Sequence, residues 1–117
     1  MVRKPLSKAK TKAKAARTVR PPGLRPRKLD YTSRFDKDWA RYDKAGRHDM
    51  SLIQSVSALL VARKIIPAEY LDHPLTGEWS DNREMHLGGD FLLIYKIYEE
   101  KNLVMLVALG THAELFK

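Results

Sequence analysis

Phe91-Leu92-Leu93-Ile94-Tyr95-Lys96-Ile97-Tyr98-Glu99-Glu100-Lys101-Asn102-Leu103-Val104-Met105-Leu106-Val107-Ala108-Leu109-Gly110 is two apolar runs around a short polar turn. The first run is rich in the β-branched and aromatic residues that suit strands and the second is apolar throughout with two valines, so the stretch reads as an antiparallel hairpin. Just upstream, Trp79 to His86 reads as a further strand. It is separated from Phe91 by Leu87-Gly88-Gly89-Asp90, whose paired glycines argue for a loop between strands. Three strands in sequence make a meander. Before it, Pro67, Pro74 and Gly77 mark a long loop.

Further upstream the spacing changes. Ser33 is placed to cap a helix on which Phe35, Trp39 and Tyr42 share one face, and Ala45-Gly46-Arg47-His48 ends it. Asp49 is placed to cap a second helix, with Leu52, Ile53, Val56, Leu59 and Leu60 at helical spacing. Leu29 to Thr32 reads as a short strand. The predicted class is α+β: an N-terminal strand and a two-helix hairpin packed on an antiparallel sheet of three to four strands, in two layers.

The 117 residues and a net charge of +8 bound the rest. A chain this long makes one small domain, burying about 60 to 70% of its unfolded surface. With no cysteine there is no disulfide or thiolate chemistry, so histidine and carboxylate must carry any reaction. The apolar runs fall short of the roughly 20 residues that cross a bilayer, which predicts a soluble, cytoplasmic protein with no membrane partner. Residues 1–28 hold 11 Lys/Arg and no Asp/Glu, whereas residues 29–117 hold 11 Lys/Arg and 14 Asp/Glu. The excess positive charge therefore belongs to the first segment, a basic extension expected to be disordered when free. Its composition also resembles an organellar transit peptide, but a start codon placed too early accounts for it better. The domain is expected over residues 29–117.

Three of the four histidines, His73, His86 and His112, stand beside turn residues in the last third of the chain. Imidazole titrates near neutrality, so several converging with a carboxylate can move protons both ways. Each histidine taken singly is better explained by structure or a solvated loop than by catalysis, and His48, between the two helices, keeps that explanation. His73, Asp90, His86 and His112 could hold zinc or iron, although no paired motif on a helix supports it. The competing chemistry is metal-free RNA cleavage, with a base at the 2′-hydroxyl, an acid at the 5′-oxygen and a cation at the phosphorane. Arg83 would supply that cation, or pair with a carboxylate; on a regular strand it faces away from His86. Phe116 could stack on a base, and Lys96 could reach a phosphate or point into solvent. Trp79 and Tyr95 read as packing residues.

In order along the chain stand His73-Pro74-Leu75-x-Gly77-x-Trp79, Arg83-x-x-His86-x-x-x-Asp90, an Ile94-Tyr95 strand, and Gly110-Thr111-His112-x-x-Leu115-Phe116. Four linked motifs in this order resemble the YafQ branch of the RelE/ParE toxin superfamily, from about Leu29 to Lys117. The resemblance implies a RelE-like fold and the toxin of a type II toxin–antitoxin pair. It implies a ribosome-dependent endoribonuclease that cuts messenger RNA in the A site without a cofactor and halts translation. A cognate antitoxin would be its partner, with a heterotetramer as the expected assembly. Carried over by position, the functional residues are His73, His86, Asp90, His112 and Phe116. His112 is the leading candidate acid, and Asp90 with His86 or His73 would serve as base and orienter. Two other readings stay open: a ParE-like gyrase inhibitor without catalysis, and a basic-tailed nucleic-acid-binding module.

Overall fold

The structure, a computed structural model, describes residues 24–116. Most of the extension expected to be disordered, residues 1–23, lies outside the described residues. Strand β1 (Lys28–Tyr31) leads into helices α1 (Ser33–Ala45) and α2 (Ser51–Val61). There follow β2 (His73–Pro74), β3 (Arg83–Gly88), β4 (Phe91–Tyr98), β5 (Leu103–Gly110) and a one-turn helix, α3 (His112–Leu115). The strands form one sheet in the order β1-β5-β4-β3-β2.

The meander β3-β4-β5 is antiparallel as read from the sequence. The sheet itself corrects the prediction of three to four antiparallel strands: it has five, and β1 lies parallel to β5 with Lys28 opposite Leu103. A parallel neighbour needs a long crossover, and the helical hairpin with the meander supplies it. The fifth strand is the two-residue β2, formed inside the expected loop, where Pro74 sits at the sheet's edge as proline must.

β4 shows no polar alternation because both of its faces are covered. Phe91, Leu93 and Tyr95 pack with Phe35, Trp39 and Tyr42 of α1 and Ile53, Val56 and Leu60 of α2. Leu92 and Ile94 turn to the other face, where a smaller cluster gathers Ala108 and Leu115 with half-buried Leu75, Trp79 and Phe116. Each large side chain fully buried in this way contributes about 1.5 to 3 kcal/mol.

A bulge in β5 joins the layers. Ile94 pairs with Ala108 but Tyr95 with Leu106, leaving Val107 as the extra residue. Thr32, rather than the expected Ser33, caps α1: its hydroxyl accepts from the Phe35 amide at 3.0 Å and donates to the Val107 carbonyl at 2.7 Å. Buried Asp38 accepts from the Leu109 amide at 3.0 Å just past the bulge. At the second helix Met50, not the expected Asp49, holds the cap position and offers no side-chain bond; Asp49 stands one residue earlier and accepts from the Ser51 amide at 3.1 Å.

Two boundaries move. The strand expected from Trp79 begins at Arg83, because Gly77–Trp79 forms a 3-10 turn and the Asn82 side chain ties back to the Trp79 carbonyl at 3.1 Å. Residues assigned to the extension already belong to the domain. The Arg27 amide donates to the Val61 carbonyl, and Pro26 accepts from Asn102.

Candidate active site: a row of rings on the open face of the sheet

Successive strand residues alternate faces, so Glu84 and His86 of β3 point to the same side. Glu84 is buried at 3% exposure, and its Oε2 meets His86 Nε2 at 3.0 Å and His73 Nε2 at 3.3 Å. His73 stands directly opposite Glu84 because it is one of the two residues of β2. Its Nδ1 lies 2.8 Å from the Leu71 carbonyl, so that nitrogen carries hydrogen. The nitrogens of His73 and His86 and a Glu84 oxygen all lie within 4.8 Å of one another.

The other half of the row is built at the sheet's end. Gly88 and Gly89 take positive φ values of 146° and 54°, which a side chain would resist. The tight turn they allow swings Asp90 across to α3. There Oδ1 accepts from the His112 amide at 3.0 Å and from His112 Nδ1 at 2.6 Å. Those bonds, the backbone one foremost, hold the Asp90 carboxyl below the usual aspartate range. His112 Nε2 has no hydrogen-bond partner among the described residues.

Ring centroids follow one another at 5.8 Å from His73 to His86, 5.9 Å from His86 to His112, 5.9 Å from His112 to Phe116 and 5.6 Å from Phe116 to Trp79. The Arg34 guanidinium lies over the far ring, 5.9 Å from the Trp79 centroid. The row thus runs from a buried carboxylate, through titratable rings, to an aromatic end beside a cation.

His73, His86, His112, Asp90 and Phe116 are all brought together here. Asp90, expected to work with His86 or His73, is instead bonded to His112. The expected four-residue metal set is accordingly divided, and the compact donor group is His73, Glu84 and His86. Arg83 lies on the helix side, as the alternation requires, with Nε 3.2 Å from Asp72, whose same oxygen also accepts from the Tyr95 hydroxyl at 2.6 Å. Lys96 shares the open face. It stands four residues along β4 from Leu92, the partner of His86, a distance of roughly 13 Å, and its Nζ sits 4.6 Å from the Tyr98 ring centroid. His48 stacks on Phe91 at 4.1 Å, which is the structural explanation it was given. Trp79 flanks the row rather than filling the main core. Glu84 was missed, although its i, i+2 spacing to His86 on a strand was the available signal.

Residues 27–117 match the family described as bacterial toxin of type II toxin–antitoxin system, YafQ. The chain belongs to this YafQ family. Among its relatives, the mRNA interferase toxin YafQ of Escherichia coli K12 is 37% identical over 92 residues, spanning 77% of this chain and 96% of that protein. A metal-bound toxin from Helicobacter pylori superposes with a TM-score of 0.72 at 39% identity, covering 77% of this chain and 99% of that one. YafQ in the Escherichia coli DinJ–YafQ complex superposes with a TM-score of 0.69 at 35% identity, covering 78% and 99%.

In this YafQ-family chain the arrangement separates two carboxylate–imidazole units. A buried carboxylate backs His86 and His73; an exposed one orients His112. Paired acid and base groups with different environments are what a two-proton reaction needs.

Proposed function

We propose that this toxin, an mRNA interferase and therefore an endoribonuclease, cuts messenger RNA in the ribosomal A site by metal-free general acid–base catalysis and so arrests translation. The observation that carries the reading is His112: Asp90 holds its backbone and Nδ1, while Nε2 is left open beside His86. His86 places Nε2–H on Glu84, which leaves its Nδ1 lone pair to take the 2′-hydroxyl proton. The 2′-oxygen then attacks phosphorus and the bond to the 5′-oxygen breaks. His112, with Nδ1–H on Asp90, gives its Nε2 proton to the departing oxygen. The products are a 2′,3′-cyclic phosphate and a 5′-hydroxyl. Phe116 and Trp79 provide a platform on which a base can stack, worth roughly 1 to 3 kcal/mol. Arg83 is committed to Asp72 and supports the sheet's other side.

The partner that restrains the toxin is a cognate antitoxin, as DinJ is for Escherichia coli YafQ, covering the row of rings in a heterotetramer. The site of action is the ribosome, in the cytoplasm; among the described residues no helix is long and apolar enough to cross a membrane.

The test uses the full chain with programmed ribosomes, comparing wild type with His86→Ala, Asp90→Ala and His112→Ala, with and without a chelator. A-site cuts that tolerate the chelator and fall about 10²- to 10⁴-fold in His112→Ala are expected for loss of one acid–base group. Unchanged cutting by His112→Ala, or growth arrest without any cutting, would overturn the proposal; the latter would favour gyrase inhibition or simple nucleic-acid binding.

A second reading rests on the donor set and on the metal-bound Helicobacter pylori relative. Two imidazole nitrogens and one buried carboxylate oxygen fit a zinc or copper ion with an open position. The Nδ1–H of His73 on the Leu71 carbonyl leaves Nε2 free for such a role. His73, Glu84 and His86 would hold the ion, and its charge would withdraw the Glu84–His86 pair from proton transfer.

A further inference from the structure

α3, which presents His112, is a single turn near the end of the chain, and four residues do not hold a helix by themselves. Asp90 restrains it from the β3–β4 turn. A second restraint comes from the opposite direction. Glu114 Oε1 accepts from the Thr111 amide at 3.0 Å and from the Tyr42 hydroxyl of α1, while Oε2 meets Arg41 Nη1 at 3.0 Å. The Thr111 hydroxyl closes the capping box by accepting from the Glu114 amide at 3.2 Å. Glu114 folds so closely over the end of β5 that a Cβ on Gly110 would lie 2.7 Å from its Oε1. Tyr42 is itself buried in the main core, against Phe91 at 4.9 Å between centroids. The residue beside the carboxylate is therefore a fixed post.

We propose that Glu114, anchored by Tyr42 and Arg41, is a positioning residue that locks the His112 turn onto α1, so that His112 meets substrate preorganised. The inference rests on the reading of His112 as the acid. Among the described residues Glu114 makes no hydrogen bond or ion pair with a ring of the row; it acts through the backbone of Thr111 and the pitch of α3. Its hydrogen bonds, the one from Tyr42 foremost, also hold its carboxyl below the usual glutamate range, so the acceptor stays charged at neutral pH. Preorganisation of this kind lowers the turnover rate when lost and leaves substrate affinity largely alone.

The experiment measures kcat and KM for the full chain on programmed ribosomes, and amide hydrogen exchange of the free toxin, for Glu114→Ala, Glu114→Gln and Tyr42→Phe. Glu114→Ala is expected to lose on the order of 10-fold in kcat with KM within about 2-fold. The amides of His112, Leu115 and Phe116 should lose protection while those of β4 keep theirs. Glu114→Gln, which can still accept from Thr111 and Tyr42, should recover most of both. Tyr42→Phe, which keeps the buried ring, should weaken both to a lesser degree. Unchanged protection of α3 in Glu114→Ala would overturn the inference, as would a loosened turn with unchanged kcat. If Glu114→Ala does not fold, the same comparisons on Glu114→Gln and Tyr42→Phe decide, and full activity with full protection in Tyr42→Phe counts against it. Exchange reads the clamp without reference to catalysis, so full activity of His112→Ala would remove the reading of the acid separately.

Discussion

Glu84 and Asp90 are both carboxylates against imidazole, and their surroundings divide the labour. Glu84 is almost fully enclosed and holds two rings on one oxygen, so it fixes their mutual position. Asp90 is exposed, and its two bonds to His112 orient a single ring that faces solvent. The donor group around Glu84 also makes the sharpest prediction at this scale. Isothermal titration of the full chain with zinc should show one site, lost in His73→Ala and in Glu84→Ala. Binding that survives both substitutions would place the ion elsewhere. Arg83 shows why residue type alone misleads: as a cation three residues from His86 it suited a phosphate, but on β3 that spacing sends it through the sheet to Asp72.

At the scale of elements, the junction of β1, α1 and β5 decides where the His112 end of the sheet lies. Thr32 serves that junction twice, as the cap of α1 and as the donor to the bulge at Val107, and its own amide donates to the Leu106 carbonyl. The bulge re-aims the last residues of β5, putting Ala108 on the open face and Leu109 in the core, just before α3 begins. Thr32→Val keeps the shape and removes the hydroxyl, leaving the Phe35 amide and the Val107 carbonyl without that partner. Urea denaturation should show a loss of about 1 to 2 kcal/mol, the usual cost of a lost cap. A midpoint equal to that of wild type would show that the hydroxyl's two bonds do not matter.

Charge is the property of the whole molecule that the site does not explain. Residues 1–23 carry eight Lys/Arg, equal to the net charge of +8, so the rest of the chain holds fourteen groups of each sign. Binding to phosphates supplies much of a protein's affinity for nucleic acid through counterion release, and we expect the extension to provide that attraction to ribosomal RNA. Removing residues 1–23, which spares the hydrogen bonds of Pro26 and Arg27, should leave thermal stability intact. The salt dependence of ribosome binding should fall by about 0.7 to 0.9 in slope for each phosphate that the shortened chain no longer neutralises. An unchanged slope and unchanged toxicity would rule the idea out. Read alone, the sequence determined four of the five strands, the two long helices and, of the ring row, His73, His86, His112 and Phe116. Hydrophobic period, glycine position and the order of four linked motifs are local properties of the chain. What only the tertiary structure decided was direction and pairing: β1 parallel to β5, Asp90 with His112 instead of His86, Glu84 beneath His73 and His86, and Glu114 reaching α1. These depend on strand register and on the meeting of residues far apart in sequence. A shift of one position would turn each such strand side chain to the other face of the sheet, and nothing in its local sequence specifies the partner it meets there.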